Sequence, residues 1–132
     1  MKKILAILAA GLIAGCTDVE KVASDNAQNF LDAFLANDYD KAAMMCTDGF
    51  KEDFNKVVKD FRELDTNVRA LLVNECQQYR AQINSVERVN TSDTFKVEYR
   101  IVKAAQDSLS VETEYIDGNL TLVGDKVSGL GE

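Results

Sequence analysis

Phe95-Lys96-Val97-Glu98-Tyr99-Arg100-Ile101 alternates apolar and charged side chains without a break. Successive residues of a strand point to opposite faces, so this stretch predicts a strand with Phe95, Val97, Tyr99 and Ile101 turned to a core and Lys96, Glu98 and Arg100 turned to water. One strand cannot bury its own apolar face and needs neighbours. Upstream, Ala81 and Ile83 alternate with polar residues, and Asn90-Thr91-Ser92-Asp93 has the composition of a connection between two strands. Downstream, Leu109, Val111, Thr113 and Tyr115 predict a third strand, Asp117-Gly118-Asn119 a turn, and Leu120-Thr121-Leu122-Val123 a fourth strand.

Before residue 78 the period is that of a helix. Val22, Ala23, Ala27, Phe30, Leu31, Phe34 and Leu35 recur at three- and four-residue spacing, which collects them on one face. Asn37-Asp38 interrupts that face, with Asp38 placed to cap a short second helix that turns Tyr39, Ala42, Ala43 and Cys46 inward. Asp48-Gly49 reads as a turn. A third helical region follows with Phe50, Phe54, Val57 or Val58, Phe61 and Leu64 inward, is divided at Asp65-Thr66-Asn67, and resumes with Val68, Leu71, Leu72 and Cys76. Helices first and an antiparallel sheet after them predict an α+β domain, with N-terminal helices packed on a curved sheet of about four strands. Its expected core includes Phe30, Phe34, Phe61, Phe95, Val97 and Tyr99. The chain has no repeat, and the absence of Pro excludes a Pro-rich spacer.

The N-terminus has a different character. Lys2-Lys3 precedes the apolar run Ile4 to Ala10, and Ile13-Ala14-Gly15-Cys16 follows, with nothing acidic before Asp18. A basic start, an apolar stretch too short for a settled membrane span and small residues before a cut site make a secretory signal. Ile13-Ala14-Gly15-Cys16 resembles the lipobox of bacterial lipoproteins. That resemblance implies cleavage before Cys16, diacylation of its thiol and acylation of the new amino terminus. The expected organisation is a signal peptide over 1–15, a lipidated N-terminus and tether over 16–23 and a single domain over 24–132. Thr17, in place of an acidic residue after Cys16, resembles a sorting pattern that favours the outer membrane of the cell envelope. Two or more acyl chains hold a protein at a bilayer durably, so the implied membrane attachment needs no spanning helix.

Removing residues 1–15, which hold Lys2 and Lys3 and no acid, leaves 117 of the 132 residues and takes the formal charge from −7 to −9. That field repels nucleic acid backbones, and no nucleic acid partner is expected. Lys51, Lys56, Lys59 and Arg62 are interleaved with Glu52, Asp53, Asp60 and Glu63, the composition of a solvated helix face. With Cys16 assigned to lipid, Cys46 and Cys76 are the remaining thiols of an exported chain. They are either joined, closing a loop worth about 3 to 4 kcal/mol in the chain-entropy model, or buried as two small apolar residues. With no His and no Cys-x-x-Cys spacing, the chain suggests no metal, cofactor or redox site.

Phe30-Leu31-Asp32-Ala33-Phe34-Leu35-Ala36-Asn37-Asp38-Tyr39-Asp40-Lys41-Ala42 is similar to the opening helix, acidic turn and second helix of NTF2-like, more broadly cystatin-like, domains. Val111 to Leu120 resembles their closing hairpin, although an aromatic residue is common where Leu120 stands. Glu52-Asp53-Phe54 is helical in pattern where larger members add a strand, which implies a less complete cone. The family's pocket binds a small molecule, performs chemistry or is filled by side chains, so the fold alone transfers no activity. Tyr99 and Tyr115 are the expected pocket walls, with Asp38 or Asp40 near the rim. No catalytic constellation stands out, so the expected function is a membrane-tethered, non-catalytic binding or accessory protein whose partner is a small apolar ligand or an envelope protein. A structural envelope protein with a filled core and a carboxylate–tyrosine enzyme are the alternatives. Intact-mass measurement of the membrane-bound protein is expected to show loss of residues 1–15 and a gain of acyl mass; Cys16→Ala is expected to abolish both.

Overall fold

A computed structural model describes residues 18–90, 92–103 and 115–131. The leader, Cys16 and the strand positions Leu109, Val111 and Thr113 lie outside these residues. Helix α1 runs Asp18–Leu35, α2 Tyr39–Met44, α3 Asp48–Arg62 and α4 Thr66–Cys76; strands β1 Tyr79–Arg88, β2 Thr94–Lys103, β3 Tyr115–Val123 and β4 Lys126–Gly131 follow. The strands form one antiparallel meander in the order β1-β2-β3-β4. α1 lies across it, chiefly against β1. This is the α+β layout expected from the sequence. Among the described residues no helix is long and apolar enough to cross a membrane.

α1 buries Ala23, Ala27, Phe30, Leu31 and Ala33, while Phe34 and Leu35 are half-buried and Val22 is 55% exposed. Val22 belongs to the part expected to be a tether over 16–23, yet Asp18–Ala23 is already helical. Asp18 and Glu20 favour a helix, and Lys21 lies 3.8 Å from Asp25 one turn on. Asn37 adopts the left-handed region (φ 63°) and ends α1. Asp38 then accepts from the Lys41 amide as the expected cap of α2. α3 begins two residues before its expected start, because Thr47 accepts from the Phe50 amide and draws Asp48-Gly49 into the first turn.

The three helices are joined by rings. Phe54 sits among Phe30 (5.8 Å between centroids), Phe34 (6.2 Å), Tyr39 (6.4 Å) and Phe50 (6.1 Å), and Phe61 meets Tyr39 edge-on at 5.3 Å. Offset and edge-to-face pairs at such distances each add about 0.5–1.5 kcal/mol beyond their area. Val58, not Val57, is the buried member of its pair. Phe61, expected in the core, packs on Tyr39 at the cluster's edge and is only half-buried.

The sequence expectation fails at α4. Asp65 caps it through the Asn67 amide, confirming the division, but none of its residues is fully buried. Val68, Leu71 and Leu72 are 43, 68 and 41% exposed; the half-buried positions are Arg69, Val73 and Cys76. Apolar residues occur all round α4, so periodicity had no single face to select.

In the sheet, Phe95 and Val97 are buried and Tyr99 and Ile101 half-buried against the helices, as expected. Asn84 bulges out of β1, so Ala81 and Ile83 before it and Val86 after it all face the core despite their mixed parity. The expected turn at Asp117-Gly118-Asn119 is instead the middle of β3, paired with Arg100, Tyr99 and Glu98. Asp117 takes a two-pronged bond from Arg100 (Nε to Oδ1 2.6 Å, Nη2 to Oδ2 3.2 Å), which pins the register. Gly118 is required by space, because a Cβ there would stand 2.6 Å from the Tyr99 hydroxyl. The hairpin lies six residues later at Gly124-Asp125, with Val123 opposite Lys126 and Gly124 at φ +62°, the conformation that favours glycine as first loop residue. Leu120 and Leu122 therefore end β3, still core-facing, and 126–131 supplies the fourth strand.

A short strap closes the far edge. The Thr47 amide donates to Val127 O (2.8 Å) and the Val127 amide to Met45 O (2.7 Å), tying the α2–α3 link to β4. Truncation of the fully buried Phe30 to Ala is expected to cost about 3–5 kcal/mol in equilibrium urea unfolding. Leu71→Ala, on the exposed side of α4, is expected to stay within about 0.5 kcal/mol of the parent.

Candidate functional site

The last turns of α1, the end of α4 and one end of the sheet do not close on each other. Between them lies a hollow of about 360 Å³. Phe30, Leu31, Phe34 and Leu35 come from α1, Glu75 and Cys76 from α4, and Tyr79, Tyr99, Ile101, Ile116 and Leu130 from the four strands. The helical period brings the α1 side chains to one face, and the register that sets Ile101 opposite Ile116 brings two branched side chains to the opposite wall. Ile116 and Leu130 are 65 and 44% exposed, so the hollow opens past apolar side chains. Gly118 contributes no side chain, which leaves room for the Tyr99 ring.

Polar groups are few here. Burial raises the Tyr99 pKa, so its hydroxyl stays protonated at neutral pH and is able to donate. Burial also raises the Cys76 pKa, reinforced by the Glu75 charge and opposed by Asn37. A protonated thiol is a poor nucleophile. At the rim, Tyr79 donates to Glu75 Oε2 (3.4 Å), and Lys103 Nζ stands 4.0 Å from the same oxygen. Glu75 is the one carboxylate among the described residues that line the hollow, and both of these contacts are exposed. Asp38 and Asp40, expected near the rim, are elsewhere: Asp38 caps α2 and Asp40 meets Arg62 at 3.3 Å.

Of the two expected wall residues, Tyr99 lines the hollow and Tyr115 does not. Tyr99 faces Gly118, so the inward residues of β3 have even numbers and Tyr115 falls on the outer face. It is 51% exposed there, with the Arg100 guanidinium 4.0 Å above its ring. Leu35, Cys76, Ile116 and Leu130 were not legible as wall residues, because their placement depends on the α4 docking and the β3 and β4 registers.

Both thiols are free in the structure, so the disulfide considered for Cys46 and Cys76 is not made. Cys46 is buried beside β4 and donates to Ala42 O (3.4 Å), whereas Cys76 is half-buried in the hollow. Cys46, in the α2–α3 link, and Cys76, at the end of α4, are carried to different places. Among the described residues no three His, Cys, Asp or Glu side chains converge as a metal site would need.

No family model and no curated protein matches this chain. Among solved structures, an uncharacterized cystatin fold protein from Novosphingobium aromaticivorans is similar over 82% of this chain and 94% of that chain, at 20% identity and a TM-score of 0.45. A likeness so distant carries nothing about ligand or activity.

Burial holds the folded Cys46 thiol at a pKa of about 11, against 9.0 when exposed. The neutral form is common to both states below pH 9, and between 9 and 11 only the unfolded chain ionises, so folding stability falls in that window. Tyr39, Cys76 and Tyr99 are raised by burial as well and act in the same direction. Urea unfolding across pH 8–11 is expected to show that decline, with a shallower slope for Cys46→Val.

Proposed function

We propose that this protein is a membrane-tethered, non-catalytic binding lipoprotein of the bacterial cell envelope, and that it holds a small apolar molecule in the hollow between α1, α4 and the sheet. The observation that carries the reading is the wall chemistry: Leu31, Phe34, Leu35, Ile101 and Ile116 surround a space whose polar groups are Tyr99 and Cys76, with Glu75 and Tyr79 at the rim. Pockets of about 300–1,000 Å³ lined by apolar and aromatic side chains, with few polar groups to orient the guest, are the usual form of a small-molecule site. That space also favours binding over a purely structural role with a filled core.

The lining groups support retention without turnover. A proton transfer needs a base held against the substrate, and Glu75 sits exposed at the rim beside Tyr79 and Lys103. Membrane attachment rests on Lys2-Lys3, the apolar run and Ile13-Ala14-Gly15-Cys16. If Cys16 is the anchor, the one residue between it and the helix at Asp18 allows only a short separation, since an extended chain spans about 3.3–3.6 Å per residue. The domain then sits against the bilayer, where apolar molecules are concentrated.

Native mass spectrometry of the full chain in detergent is expected to find an apolar molecule bound at near one per protein. Ile101→Phe, which fills the hollow, is expected to reduce that occupancy at least about tenfold with little change in Tm, since overpacking at a lined cavity costs less than in a filled core. Equal retention by Ile101→Phe would remove the hollow as the site. Catalytic consumption of the molecule, abolished by Glu75→Gln, would overturn the non-catalytic reading.

A further inference from the structure

A second hollow, also of about 360 Å³, lies on the other side of Asn37, between the α1–α2 link, the end of α3 and the start of α4. Its chemistry is the reverse of the first. Arg62 and Arg69 reach it from α3 and α4, Thr66 brings a hydroxyl, and Asn37 and Tyr39 close the opposite side. Phe61 and Val73 supply apolar wall.

Two buried side-chain atoms among the described residues lack a hydrogen-bond partner: Asn37 Oδ1 and Arg69 Nε. Both belong to residues lining this one hollow. Neither satisfies the other, and a buried polar atom left unpaired is destabilising. One is an acceptor and the other a donor, so a guest that relieves both must itself carry a donor and an acceptor. Asn37 is held for such a task, because its Nδ2 donates to the Tyr39 hydroxyl at 2.7 Å.

Charge identifies the acceptor end. In a chain of formal charge −7, two arginines line a single hollow. Arg62 has one exposed contact, to Asp40 at 3.3 Å, which is easily exchanged. Among the described residues, Arg69 donates from Nη2 to the Thr66 hydroxyl at 3.5 Å. A planar guanidinium with open N–H groups matches a carboxylate in geometry as well as charge. The Phe61 and Val73 walls suit the carbon skeleton of an organic acid better than a fully hydrated inorganic anion.

We propose that this hollow binds a small organic carboxylate that also bears a hydroxyl or ammonium donor, the carboxylate on Arg69 and Arg62 and the donor on Asn37 Oδ1. The site is separate from the apolar hollow and stands whether or not that one takes a ligand.

L-lactate, a carboxylate with a neighbouring hydroxyl, is a suitable probe, with acetate lacking the donor and inorganic phosphate lacking the carbon skeleton. In ¹⁵N-labelled full chain in detergent, the Arg69 Nε–Hε and Asn37 Nδ2 resonances report directly on the two ends. Lactate is expected to shift both saturably in the millimolar range, and acetate to bind more weakly and leave Asn37 nearly unmoved. Arg69→Lys keeps the charge but removes the fork, and is expected to weaken lactate binding, followed at Asn37, by about tenfold or more. No saturable shift with lactate would overturn the proposal and leave the two orphan atoms to water. Phosphate binding tighter than lactate, or unchanged affinity in Arg69→Lys, would overturn the carboxylate assignment.

Discussion

Phe30 joins the two halves of the molecule. On one side its ring is stacked with Phe34 and tilted against Phe54, in the cluster that binds α1 to α2 and α3. On the other it belongs to the buried core shared with Val97, Leu120, Leu122 and Val127 of the sheet. α1 makes contacts with all four strands and with α2, so whatever holds α1 in place also orders the layers. Large apolar area removed from water at one residue, about 25 cal/mol per Å², is the strongest single source of order available to a domain of this size.

The sheet adds a second constraint, specific where the first is general. Tyr99 over Gly118 and the Arg100–Asp117 pair fix β2 against β3 to the residue. A slip by one position would turn Leu120 and Leu122 out of the core and the Tyr99 ring against a side chain with no room for it. Asp117 is held below its ordinary pKa by the Arg100 hydrogen bond, so the pair persists into mild acid. Its exposure means it contributes to register more than to stability.

Between these two constraints the molecule leaves space. α4 is capped and turned by Asp65 but buries no residue fully, and the gaps at its two ends are the two hollows. The apolar hollow lies by Cys76 and the arginine-lined one by Thr66, with Asn37 acting on the Cys76 thiol between them. A lightly packed helix leaves such hollows, because a fully packed one would fill the space it borders.

Sequence alone determined the local periods: helices through residue 76, a strand through Phe95–Ile101 with its inward face, the Asp38 cap, the break at Asp65-Thr66-Asn67, and hence the α+β class. These depend on neighbours one turn or two residues away, which a chain carries in its own order. Tertiary structure decided what depends on partners far along the chain. Asp117-Gly118-Asn119 has the composition of a turn, yet Arg100 and the Tyr99 ring, more than fifteen residues earlier, make it a strand. Tyr115 is turned outward by that same register. Cys46 and Cys76 are separated by how α2 and α4 dock, and Val68, Leu71 and Leu72 are left outside because Arg69, Val73 and Cys76 take the inner side. Pattern fixes which side chains share a face; only packing decides which face meets the core.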